Sequence, residues 1–290
     1  MNNDRANVGL VRLKDGRNMP RLGQGTWHMG ERHTKRSQEV EALRYGIELG
    51  MCLIDTAEMY AEGGAEKIVG EAIGGFDREK LFLVSKVYPH HAGRGHIFAS
   101  CEASLKRMKT DYLDMYLLHW RGSIPLAETA ACMEELKAQG KIRGWGVSNF
   151  DSDDILDLHA QPGGQNCLTD QVLYHLGSRG IEYDLLPLLE NEEIPVMAYC
   201  PIASGGRLGK GLLENAAVKT TAEKHSATAA QILLAFVLRL RGMAAIPKAS
   251  KKAHVLENAQ AANIALDAED MERLNIAYPS PAHKVPLDIE

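Results

Sequence analysis

Apolar and polar positions along the chain fall into short alternating blocks. Compact runs rich in Leu, Ile, Val and Met occur at "RLGQGTW" from Arg21, "CLIDTA" from Cys52, "KLFLVSK" from Lys80 and "YLDMYLLHW" from Tyr112. Four more follow at "IRGWGVSN" from Ile142, "LTDQVLY" from Leu168, "PVMAYCP" from Pro195 and "MAAIPKA" from Met243. These eight runs are short and nearly continuous, which predicts strands buried on both faces. Between them, "SQEVEALRYGIELG", "GAEKIVGEAIGGF", "IFASCEASLKRMK" and "LAETAACMEELKAQG" place apolar residues three and four apart, the period of amphipathic helices. Gly50 and Gly140 fall where two of those helices should stop.

Strand and helix in strict alternation predict parallel βαβ units. Eight units can close into a (β/α)8 TIM barrel; periodicity alone leaves an open doubly wound sheet as the alternative. Ahead of the first strand, "LVRLKDGRNMPRL" carries an Asp-Gly turn between two short runs and predicts a β-hairpin. Beyond the last, "SKKAHVLENAQAAN" and "DAEDMERLNIAY" predict extra C-terminal helices. No linker, charge block or change of composition divides the 290 residues, so one domain over residues 1–290 is expected.

Composition narrows the class. The chain is 45% hydrophobic and 24% charged, enough for a sizeable core, and its net charge of −5 speaks against a nucleic-acid or anionic-membrane surface. The N-terminal stretch lacks the apolar core of a signal peptide and no run approaches a membrane span, so a cytoplasmic protein is expected. Five scattered cysteines without a CxxC pair read as small core residues in a reduced compartment. The motif-like pieces fail on inspection. "GQGTWH" lacks the third glycine of a dinucleotide fingerprint. His90, His91 and His96 lack a carboxylate or cysteine to complete a zinc set. "GVSNF" lacks the closing glycine of a hydrolase elbow.

The chemistry lies at the strand ends. In a barrel the C-terminal ends of the strands form the active face. Asp55 ends the second run with Tyr60 in the loop beyond; Lys86 ends the third and His119 the fourth. Ser148 and Asn149 close the fifth, Gln171 lies in the sixth, Tyr199 closes the seventh and Lys248 the eighth. Taken singly, each has an ordinary explanation: a helix cap, a solvated strand end, a satisfied core histidine. For Asp55, Tyr60, Lys86 and His119 together, at one end of neighbouring strands, one shared site is the better explanation. A phenol titrates near 10, too high for easy proton transfer, and a neighbouring ammonium is expected to lower it. A carboxylate would hold that ammonium, and a histidine opposite would help bind negative charge developing on a carbonyl oxygen. Carbonyl polarisation and protonation is the chemistry this set suits.

"DTAEMY", "SKV", "LLHW", "GKIRGWGVSNF", "DQVLYH", "MAYCPI" and "IPKAS…HVLEN", in this order, resemble the aldo-keto reductase family over nearly the whole chain, with bacterial reductases of methylglyoxal and other small aldehydes as the nearest likeness. The resemblance implies a (β/α)8 barrel that binds NADPH in an extended form. It implies Tyr60 as general acid supported by Lys86 and Asp55, with His119 orienting the carbonyl. Ser148, Asn149 and Gln171 would meet the nicotinamide carboxamide and Tyr199 its ring, with Thr26, Trp27 and Asp55 also in contact with the cofactor. Pro201, Ile202, Ser204 and Leu208 would cover the pyrophosphate. Lys248 and Ser250 would meet the 2′-phosphate, and Glu257 and Asn258 the adenine. His254 stands where many relatives carry an arginine for the 2′-phosphate, and it lacks the permanent charge and bidentate fork of a guanidinium. Trp27, Tyr88 and Trp120 would wall the substrate pocket. The stretch after Tyr278 is short where relatives handling steroids have longer loops, so an open pocket for a small aldehyde or ketone is expected; the resemblance also implies a monomer, and no nucleic-acid or membrane partner is expected. Two other functions compete: a regulatory subunit that binds the cofactor with little turnover, and a barrel lyase using Lys86 as a Schiff-base amine.

Overall fold

A computed structural model of the protein describes residues 8–203, 209 and 211–290. Strands β1 (Leu10–Arg12) and β2 (Asn18–Pro20) pair antiparallel as the expected hairpin. Gly16, at φ 88°, and the bond from the Leu13 amide to the Arg17 carbonyl make its turn. The eight apolar runs supply β3 (Gly23–Gly25), β4 (Leu53–Asp55), β5 (Phe82–Val87), β6 (Met115–Leu118), β7 (Trp145–Ser148), β8 (Asp170–Leu173), β9 (Val196–Tyr199) and β10 (Met243–Ala245). They pair in parallel in chain order. A parallel bridge from Leu22 to Ala245, with the Ala245 amide bonded to the Arg21 carbonyl at 2.8 Å, joins the two ends of the sheet. The protein is therefore a (β/α)8 barrel, and the open-sheet alternative falls.

Helices α1 (Arg36–Glu48), α2 (Gly64–Ala72), α3 (Ile97–Met108), α4 (Leu126–Ala138), α5 (Ser152–His159), α6 (Leu185–Asn191), α7 (Ala216–Lys224) and α8 (Ala229–Leu238) follow strands β3 to β9 around the outside. Two more, α9 (Lys252–Ala261) and α10 (Ala268–Ala277), are the expected C-terminal pair: α9 packs on α1 and α8, and α10 on α7. Gly50 and Gly140 do stop α1 and α4. Both are left-handed, at φ 100° and 74°, and the amides of Met51 and Lys141 reach back to the carbonyls of Gly46 and Leu136. That is a Schellman closure, open to glycine without steric cost.

Two apolar layers hold the barrel. Between the sheet and the helices lies a continuous core that includes Ile54, Leu83, Tyr116, Trp145, Val172 and Phe236. Inside the barrel a smaller cluster (Leu53, Phe82, Val84, Met115, Leu117 and Met197 among others) meets Leu13 and Met19 of the hairpin. The hairpin thus seals the N-terminal end of the barrel, and the polar strand ends open at the other. Cys101, Cys132 and Cys167 are buried, as core residues should be. Among the described residues no helix is long and apolar enough to cross a membrane.

Candidate active site

Asp55 ends β4 facing into the barrel, 2% exposed, and Lys86 on the adjacent β5 is 1% exposed. The Lys86 ammonium donates to Asp55 Oδ1 at 2.7 Å, to the Thr56 carbonyl at 2.9 Å and to the Tyr60 hydroxyl at 3.2 Å. Three acceptors satisfy the three protons of a charged amine, which is how a lysine can be buried at all. A free amine suited to Schiff-base chemistry would not be held in this way. Asp55 Oδ2 accepts from Gln171 Nε2 at 2.8 Å, so both carboxylate oxygens are tied. His119, at the end of β6, meets Tyr60 edge-on with ring centres 5.7 Å apart. Its Nδ1 is buried without a hydrogen-bond partner among the described residues, leaving Nε2 as the nitrogen available to the cavity.

Burial dominates the electrostatics here. It pushes Asp55 up and Lys86 down, each opposed by attraction to the other. Burial, followed by the charge of Lys86, pushes His119 down to about 2, so the imidazole is neutral at physiological pH and carries one N–H. Tyr60 departs from the expectation of a lowered phenol: burial first, then the carboxylate of Asp55 and the thiol of Cys200, raises it well above its ordinary value. Burial outweighs the pull of the Lys86 ammonium 3.2 Å away. The hydroxyl therefore keeps its proton across the physiological range.

Above this base, Ser148, Asn149, Gln171 and Tyr199 form a second group. Ser148 Oγ donates to the Gln171 carbonyl at 2.8 Å, and Asn149 Nδ2 donates to the His119 carbonyl at 3.2 Å. The Tyr199 hydroxyl donates to Asn149 Oδ1 at 2.8 Å, which fixes the ring. Asn149 and Cys200, each just past a strand end, are left-handed at φ 58° and 49°. Non-glycine residues in that region cluster where a site constrains the backbone.

All of these groups face one cavity of about 1600 Å³ over the C-terminal mouth of the barrel, except Lys86, which lies behind Asp55 and Tyr60. Thr26, Trp27, Trp120, Pro201 and Ile202 line it near the base. Lys248 and Ser250, just past β10, and His254, Glu257 and Asn258 on α9, which packs on the outer helices α1 and α8, line its outer side. Ser204 and Leu208 lie outside the described residues. Tyr88 is not part of the lining; it stands edge-on behind Trp120, ring centres 6.0 Å apart. Sequence reasoning missed Met59, Arg121, Lys219, Glu223 and the tail residues Ile289 and Glu290, all of which line the cavity. The tail reaches the cavity as well. Asp288 accepts from Ser178 Oγ at 2.6 Å and Lys284 pairs with Asp184 at 3.1 Å, which carries Ile289 and Glu290 back to the rim. No cluster of His, Cys, Asp and Glu among the described residues could hold a metal ion.

A closed parallel barrel with an Asp–Lys–Tyr chain and a histidine at its C-terminal mouth defines a class, and the chain belongs to it: the model of the aldo/keto reductase family matches residues 21–279. The chain is similar to methylglyoxal reductase YeaE of Escherichia coli (strain K12), at 56% identity over 97% of this chain and 98% of that protein. Glyoxal reductase of Bacillus subtilis (strain 168) is 33% identical over 91% of each. A crystal structure of an aldo/keto reductase from Klebsiella pneumoniae in complex with NADP and acetate superposes with a TM-score of 0.94, at 53% identity over 97% of this chain and 99% of that one.

Proposed function

We propose that the protein reduces small aldehydes and ketones, methylglyoxal among them, with NADPH as cofactor and Tyr60 as general acid. The observation that carries the reading is the chain Asp55–Lys86–Tyr60 facing a neutral His119 in a cavity of about 1600 Å³. The donors present fit such a cofactor. Ser148, Asn149 and Gln171 offer hydroxyl and amide groups for a carboxamide, Tyr199 offers a fixed ring face, and Lys248 offers a charge for a phosphate. When bound, the reduced nicotinamide supplies the hydride. The similarity to YeaE and to the NADP complex from Klebsiella pneumoniae supports both the substrate class and the cofactor.

The protein's own part is to bind and protonate one oxygen. Tyr60 and His119 both donate to the carbonyl oxygen of the substrate. As negative charge grows there, the phenol, still protonated because its pKa is raised, gives up its proton. The phenolate left behind is stabilised by the ammonium of Lys86 3.2 Å away, while Asp55 keeps that ammonium charged and aimed. The burial that raises the Tyr60 pKa also keeps out water, so the hydrogen bonds act in a medium of low polarity.

The test is a panel of aldehydes and ketones assayed with NADPH and with NADH, following loss of cofactor absorbance. Turnover of methylglyoxal and nitrobenzaldehyde with NADPH is expected, well ahead of bulky ketosteroids. Tight NADPH binding without turnover of any carbonyl compound would instead make the protein a cofactor-binding regulatory subunit.

A further inference from the structure

Glu58 lies between Asp55 and Tyr60 and has no part in the chemistry above. Its side chain is only 9% exposed, and a single oxygen, Oε1, accepts twice from the neighbouring loop: from the Tyr88 amide at 2.7 Å and from His91 Nδ1 at 3.1 Å. The backbone amide of Glu58 also donates to the Lys86 carbonyl at 3.3 Å. One residue thus stitches the loop after β4 to the end of β5 and to the loop beyond it.

Both sides of that seam matter for the reaction. Tyr60 is two residues along, and its hydroxyl has to stay 3.2 Å from the Lys86 ammonium. Locally, the Tyr60 amide reaches the Ala57 carbonyl at 3.1 Å, but Ala61 and Glu62 follow at φ 49° and 52°, so no regular helix continues through the acid. On the other side, Tyr88 backs Trp120, whose ring lies 4.9 Å from that of His119. The carboxylate therefore connects the loop that carries the acid to the wall behind the second hydrogen-bond donor.

We propose that Glu58 is a positioning residue for the reduction: by clasping Tyr88 and His91 it fixes the loop bearing Tyr60 against β5 and sets the alignment of the Tyr60 hydroxyl with Lys86. This rests on the reading of Tyr60 as the acid. Among the described residues none of the hydrogen-bond partners of Glu58 is Lys248, Ser250, His254, Glu257 or Asn258, so loss of the clasp should disturb proton delivery and leave cofactor binding alone.

Glu58→Ala and Glu58→Gln in the full chain decide it. Glu58→Ala is expected to lower kcat for methylglyoxal about ten-fold or more while NADPH affinity stays within about two-fold, because misplacing a reacting group by an ångström is enough to slow a reaction severely. The solvent deuterium isotope effect on kcat should rise in this variant, since a misaligned phenol makes proton transfer rate-limiting. Glu58→Gln keeps an acceptor for the Tyr88 amide and should recover most of the rate. Wild-type kcat and isotope effect in Glu58→Ala would overturn the proposal. So would equal losses in both variants that track a falling melting temperature with the isotope effect unmoved. A crystal structure of Glu58→Ala gives a readout free of activity: the contact between Tyr60 and Lys86 should lengthen, and an unchanged contact overturns the clasp. Failure of the wild type to reduce any aldehyde would instead remove the parent reading, and the crystallographic distance would still decide the role of Glu58.

Discussion

The base and the outer rim of the cavity are built in opposite ways. At the base, Asp55, Lys86 and Gln171 are buried and bonded to one another before any ligand arrives. At the rim, Lys248 is exposed and has no partner among the described residues, and His254, 58% exposed, touches only Glu257 at 3.2 Å. Under the proposed function, the contrast follows from what each end has to do. A group that stabilises a transition state must already be in place, because any rearrangement is charged against the rate. A group that only attracts a charged ligand can be ordered by that ligand on arrival.

The sharpest way to break the contrast is at the base. Tyr60→Phe should reduce kcat about 10²- to 10⁴-fold, the usual contribution of a general acid, with NADPH affinity nearly unchanged. Steady-state kinetics and a fluorescence titration separate the two effects. A variant with normal turnover would take Tyr60 out of the acid role and leave the base without its function.

At the rim the pattern should reverse. Lys248→Ala is expected to weaken NADPH roughly ten-fold, the scale of a solvent-exposed charged contact, and to leave NADH almost untouched. Binding constants for both cofactors provide the check. Equal losses would mean that the 2′-phosphate is read by other residues.

The same contrast explains what could be read from the sequence. The barrel and the base were legible because a charged residue closing an apolar strand is costly without a partner, and several such residues at one end of neighbouring strands have to be partners for one another. Asp55, Lys86, His119 and Gln171 announce themselves in this way. Tyr88 looked the same in the linear pattern, yet the turn after β5 swings it behind Trp120. The return of Ile289 and Glu290 depends on anchors such as Ser178 to Asp288, more than a hundred residues apart, which no local pattern encodes. Glu58 was invisible for a related reason: its partners are an amide and an imidazole of another loop. The direction of the Tyr60 shift was misread because burial is a property of the folded surroundings, and here it outweighs the nearby charge.

Asp170 tests whether burial or partnership marks a functional carboxylate. It begins β8, next to Gln171, and is as buried as Asp55. Among the described residues neither of its oxygens has a well-formed hydrogen bond, and burial, only partly offset by the amides of Phe150 and Gln171, raises it well above the carboxylate range. In the unfolded chain an aspartate ionises near pH 3.9. Because the folded pKa is the higher one, stability falls as pH rises above about 4 and goes on falling until the folded group ionises. Asp170→Asn should therefore stabilise the protein by about 1 kcal/mol at pH 7 to 8 and by nearly nothing at pH 4, with activity retained. Denaturant melts at the two pH values measure it. A destabilised variant at pH 8 would mean that the carboxylate is partnered after all.

The mildest change sharpens the rim further. His254 sits on the outer side of the cavity with its ring turned toward Glu257, a carboxylate that a bound phosphate would have to approach. An arginine there would bring a permanent charge and a planar fork that can hold a phosphate and Glu257 together. His254→Arg is expected to tighten NADPH roughly three-fold, a modest gain because the site is exposed and screened, and to leave NADH within error. Titrations at low and high ionic strength give the check, since the gain should shrink with salt. A gain shared equally by NADH would mean that the arginine stacks on the adenine instead, and the 2′-phosphate would then be assigned to Lys248 and Ser250 alone.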